Sequence, residues 1–228
     1  MLPAIWHRYI FLFGIIGLGA GMLFGTVPTS IPQIIIGANW FLEKDFALKW
    51  QRLKSNKIFW VLISIFLLHL LGMLYTSNIQ LGLADLKNKA PLFVLPVLFF
   101  STKPLSQKEL KLLFSFFFLS VIVSSIYCFL VYAGFTHKTI INVRQASVFM
   151  SHIRFSLFIA FAIIGLIYTL YNEQKQSIKL LCILSVVWLL LVMYKLELAT
   201  GFLCLMLVGA VLILKLVIQK FKIGRAHV

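Results

Sequence analysis

Residues 144–154 gather Arg144, Ser147, Ser151, His152 and Arg154 at the start of a run that is otherwise apolar, SVFMSHIRFSLFIAF (147–161). An arginine offers a planar fork of N–H donors that matches phosphate oxygens. Hydroxyls and the free amides of a helix N-terminus add further donors. Ser151 and Arg154 are three residues apart and share a helix face, with Ser147 one turn earlier if the helix begins early. No acidic residue stands between Lys138 and Tyr171. The chemistry this pattern offers is the holding of an anion. The competing role is anchoring, in which basic side chains reach out from a helix end to lipid headgroups.

Two further stretches contribute secondary candidates. The tight segment YKLELATGF (194–202) carries Lys195 and places Thr200 and Gly201 at the opening of the last apolar run. The segment reads first as a turn in which Thr200 caps that helix; the competing role is a second contribution to the same outer cavity. In SNIQLGLADLKNK (77–89), apolar and polar residues alternate at helical spacing. Ile79, Leu83 and Leu86 fall on one face, which predicts a short helix lying on a membrane surface. Lys87 and Lys89 then stand beside the next span, where headgroup anchoring competes with a role in the cavity.

The elements that position these residues follow from composition. The chain has 228 residues, 61% hydrophobic and 12% charged, with a mean hydropathy of +1.01. Soluble domains are about half apolar and a quarter charged, so this is a membrane protein. A net charge of +15 raises the question of nucleic acid, but the basic residues lie in short runs between apolar segments. That is the pattern of loops facing anionic lipid, and nucleic-acid binding is not expected. Cys128, Cys182 and Cys204 all sit in apolar runs and form neither a disulfide framework nor a metal motif.

A bilayer core takes about 20 apolar residues per helix. Clear runs cover 9–27, 58–75, 110–133, 153–171, 178–194 and 200–218; weaker ones cover 28–42 and 90–100. The expected fold is all-α, a polytopic transmembrane helical bundle of about eight spans, or six or seven if the weak runs do not cross. Gly17, Gly21 and Gly25 recur every four residues on the first span, a small-residue stripe for helix packing. With eight spans and a cytoplasmic N-terminus, 15 of the 21 basic residues face the cytoplasm, as the positive-inside rule requires. The cluster around Arg154 then lies on the outer side, where that rule disfavours basic residues.

No P-loop, GxGxxG, GxSxG or HExxH motif is present, and no paired carboxylates. His69, in LLHLLGMLY, is the main ionisable residue inside a clear span, and it reads as a packing residue. The tail IGRAHV (223–228) differs in character from the rest and resembles a translated sequencing-library adapter. On that reading residues 1–222 are the N-terminal transmembrane part of a longer protein, 223–228 are non-native, and Arg225 and His227 have no function.

Three stretches together resemble the O-antigen ligase and O-antigen polymerase superfamily of membrane glycosyltransferases: 68–100, FMSHIRFSLFIAFAI (149–163) and LELATGFLCLML (196–207). The resemblance implies a multi-pass protein of the bacterial inner membrane. It would transfer a glycan from undecaprenyl pyrophosphate to the lipid A core or to another glycan acceptor on the periplasmic side. Neither a cofactor nor a metal is implied, and the partners are the lipid-linked glycan, the acceptor and membrane lipids. The superfamily's catalytic residues on a large loop would lie beyond residue 220, so none is expected here. Its SRTG-like motif falls on Leu198, Ala199, Thr200 and Gly201, with Ala199 where arginine is common. Arg144, His152 and Arg154 are then expected to meet the donor pyrophosphate. The rival functions are a transporter or flippase of lipid-linked saccharides, and a non-enzymatic assembly subunit.

Overall fold

The computed structural model describes residues 3–225, and among these it is all helical. Its elements are α1 (Ala4–Gly21), α2 (Thr26–Leu42), α3 (Phe46–Ser55), α4 (Lys57–Gly72), α5 (Ile79–Lys89), α6 (Pro91–Ser101), α7 (Gln107–Tyr132), α8 (His152–Asn172), α9 (Gln176–Lys195) and α10 (Ala199–Arg225). Short 3₁₀ turns cover Met73–Tyr75 and Val143–Ala146. The three cysteines are free thiols.

Four helical segments are long and apolar enough to cross a membrane: Lys57–Tyr75, Gln107–Tyr132, His152–Asn172 and Gln176–Lys195. Their outward faces carry apolar side chains, among them Val61, Leu68, Ile167, Leu181 and Val187, each more than half exposed. Water would penalise so large an apolar surface, whereas hydrocarbon does not. The apolar parts of α1 and α10, Ile5–Gly21 and Ala199–Lys215, are shorter. The expected span at 90–100 appears as α6, whose 11 residues reach about 16 Å, roughly half a bilayer core.

The chain forms two compact units. The first takes the residues up to Ile15 and Ile31–Leu110. Within it Asn56 caps α4, its Oδ1 accepting from the amides of Ile58 and Phe59 at 3.0 and 3.2 Å. Leu53, Phe59 and Ile63 form a small core against Val97 and Phe100. Helix α5 appears where the alternation of 77–89 placed it, opened by Asn78, and Ile79 and Leu83 on its apolar face stay exposed. Helix α3 was not anticipated; its basic residues read as a loop.

The second unit takes Ile16–Ser30 and everything from Lys111 on. Phe155, Ile159 and Ile163 of α8, Leu189, Val192 and Met193 of α9, and Val121 and Cys128 of α7 make its main core, joined by Leu23. The expected first span, 9–27, is corrected here. Helix α1 stops at Gly21, and the chain turns before α2 opens at Thr26. Gly25 belongs to this turn, with φ +112°, and not to a helical stripe. Gly21 does serve close packing, since a Cβ there would overlap the Pro28 carbonyl. The tail expectation falls partly on 226–228, which lie outside the described residues.

Candidate anion site

The second unit brings the N-termini of α8 and α10 to one end, and one hydroxyl joins them. Ser156, fully buried on α8, accepts a hydrogen bond from the Gly201 amide and donates to the Leu198 carbonyl at 3.2 Å. Helix α10 begins at Ala199, so Thr200 lies inside its first turn and does not cap it; that expectation is corrected. The Gly201 amide, which also donates to the Leu198 carbonyl at 3.1 Å, finds a second acceptor on a neighbouring helix, 45 positions away in sequence. Gly201 is buried, and a Cβ there would stand 2.7 Å from both Ser156 oxygens and 2.6 Å from Met193 Cε. A glycine is what lets α8 and α10 approach this closely.

The approach to α8 is pinned by apolar side chains. Ala146 is fully buried, and Phe149 packs edge-on to Phe24 and tilted on Tyr127, with ring centroids 5.2 and 5.1 Å apart. Asn142 shapes the 3₁₀ turn by accepting from the Arg144 amide at 3.0 Å. Ser147 Oγ, itself buried, lies 3.1 Å from His152 Nδ1 and ties the end of the loop to the first residue of α8. Arg144 and Arg154 are exposed, and His152 is half-buried.

The electrostatics of this end are unusual. Ser151 stands at the N-cap of α8 but makes no side-chain cap, and no acidic residue occupies the first turn. A helix N-terminus carries partial positive charge and favours anions. Here it holds Arg154 instead, an arrangement that costs about 0.3–1 kcal/mol for an exposed cation. The ion pairs among the described residues are Arg8–Glu109, Lys49–Glu43 and Lys89–Asp85, all in the first unit. Arg144, His152, Arg154 and Lys195 take part in none of them. Lys195 has a local reason for its place, as it closes α9 at the end where the dipole favours a cation.

Lys87 and Lys89 close α5 in the first unit. Lys89 Nζ binds Asp85 at 2.6 Å across one helical turn, while Lys87 is exposed. His69 Nδ1 lies 2.7 Å from the Ile65 carbonyl one turn back. Sequence reasoning missed Ser156, whose partner could not be read from local spacing. No family model, no curated protein and no solved structure matches this chain.

Proposed function

We propose that this chain is the donor-binding part of a membrane glycosyltransferase of the O-antigen ligase-like type. It would be set in the bacterial inner membrane with a cytoplasmic N-terminus and about eight spans. The reading rests on one observation above all: basic groups at an uncapped helix N-terminus, with no carboxylate paired to them. A lipid-linked pyrophosphate presents its charge at headgroup level, where the Arg144 and Arg154 forks and the first amides of α8 would receive it. In the proposed reaction an acceptor hydroxyl attacks the anomeric carbon of the donor sugar. The bond from that carbon to the pyrophosphate oxygen breaks, and undecaprenyl pyrophosphate leaves. The arginines oppose the charge that develops on the leaving oxygen. The acceptor would be the lipid A core or another glycan.

The test is Arg154→Ala in the native gene, with glycan transfer measured beside membrane insertion. Insertion at the normal level with transfer reduced tenfold or more is the expected outcome. Transfer at the normal rate returns Arg154 to headgroup anchoring and removes the main support for the proposal.

A further inference from the structure

A second polar site lies in the first unit, where sequence reading assigned nothing. A cavity of about 660 Å³ opens among α1, α2, α3 and the segment that leads into α7. This volume suits a small polar ligand or a lipid headgroup.

Most charges around the cavity are already committed. Arg8 binds both Glu109 oxygens, at 2.9 and 2.6 Å, and the carbonyls of Lys103 and Pro104. Lys49, almost fully buried, donates to the Trp40 carbonyl at 2.6 Å, pairs with Glu43 at 3.1 Å and stands 4.8 Å from the centre of the Trp40 ring. What remains uncommitted is informative. Arg52 spends one nitrogen, Nη1, on the Ser101 carbonyl at 3.1 Å, which leaves the rest of its fork open. The Lys103 ammonium has no described partner, and neither has the Asp45 carboxylate, which makes no cap for α3. The surplus is therefore cationic.

His7 adds a directional group. It is 6% exposed, and its Nδ1 lies 2.7 Å from Asn39 Oδ1. The Asn39 amide nitrogen donates to the His7 carbonyl at 2.9 Å, so the oxygen is the atom facing the ring, and an amide oxygen only accepts. This assigns the proton to Nδ1 and, in the neutral ring, leaves Nε2 as a lone-pair acceptor. No described residue meets Nε2, and His7 lines the cavity. The buried imidazole thus presents an unused acceptor to whatever enters.

We infer that this cavity binds a phosphate ester that carries hydroxyl groups. The phosphate meets Arg52 and Lys103, and the hydroxyls donate to His7 Nε2 and Asp45. Arginine's open fork suits phosphate oxygens, and the single leftover carboxylate suits a hydroxyl. Helix α3 bears on the source of the ester. It buries Lys49 and Leu53 while Phe46, Leu48 and Trp50 are each about half exposed. Exposed aromatic residues beside basic ones mark the membrane interface, so α3 sets the cavity at headgroup level. The residues of this site belong to the first unit and those of the proposed donor site to the second.

Two ligands test the inference on the purified full chain. Glycerol 3-phosphate is titrated onto protein in detergent, and phosphatidylglycerol is offered in phosphatidylcholine nanodiscs with retained lipid read by native mass spectrometry. Binding of at least one is expected. The soluble ester binding by itself identifies a free phosphate ester as the ligand, and lipid retained without it identifies a headgroup. Arg52→Gln with Lys103→Gln should weaken binding roughly a hundredfold, about tenfold for each charge-assisted contact. His7→Phe should weaken it about tenfold, and the double variant keeps the test decisive if His7→Phe fails to fold. The inference is overturned if neither ligand binds the wild-type chain, or if the double variant binds as tightly as wild type.

Discussion

Arg8 and Lys49 of the first unit and the basic cluster of the second are held in opposite ways. In the first, Arg8 and Lys49 are each held by a carboxylate and by backbone carbonyls, and Lys49 is almost fully buried. In the second, Arg154 stands at the positive end of α8, and neither it nor His152, nor Arg144 in the preceding 3₁₀ turn, joins an ion pair. A cation that completes its own shell inside the protein contributes to the fold and has little left for a ligand. A cation held against a helix dipole contributes nothing to the fold and keeps its donors free. The contrast makes the first unit's pairs structural and is what the proposed anion site in the second unit rests on.

The comparison breaks first at Arg8. Arg8→Met removes two bonds to Glu109 and two to carbonyls from a pair that is one-fifth exposed. It should cost about 2–4 kcal/mol, read by thermal unfolding in detergent.

Gly201→Ala comes next and asks whether the end of the second unit where α8 and α10 begin is closely packed. The added methyl meets the Ser156 backbone oxygen and hydroxyl, and overpacking of this kind costs about 1–3 kcal/mol. A variant as stable as wild type would show that α8 and α10 have room between them. The smallest effect is the sharpest for the comparison. Arg144→Gln with Arg154→Gln should leave the melting temperature unchanged or slightly raised, within about 0.5 kcal/mol. A loss of 2 kcal/mol would make these arginines structural, like Arg8.

Much of the architecture was legible because lipid imposes long apolar runs that composition alone reveals. The runs at 58–75, 110–133, 153–171 and 178–194 all became helices of spanning length. The alternation over 77–89 marked α5. The first hairpin was not legible, because Met22, Leu23 and Phe24 continue the apolar run through the turn. Leu23 is apolar since it enters the core of the second unit, where it is fully buried. Helix α3 was hidden for the opposite reason: it buries a lysine and exposes a tryptophan, inverting the usual pattern. At the site, residue types and their crowding at 144–154 were readable. The Ser156–Gly201 bond joins positions 45 apart, and no local rule reports a contact of that span.

The most direct test of the central claim is binding of undecaprenyl pyrophosphate to the full chain in phosphatidylcholine nanodiscs. Wild-type protein and the Arg144→Gln, Arg154→Gln double variant are compared by native mass spectrometry. Retention by wild type, with a loss of about a hundredfold in the double variant, is the predicted result. Equal retention by both proteins, or none by either, would contradict a donor site at the head of α8.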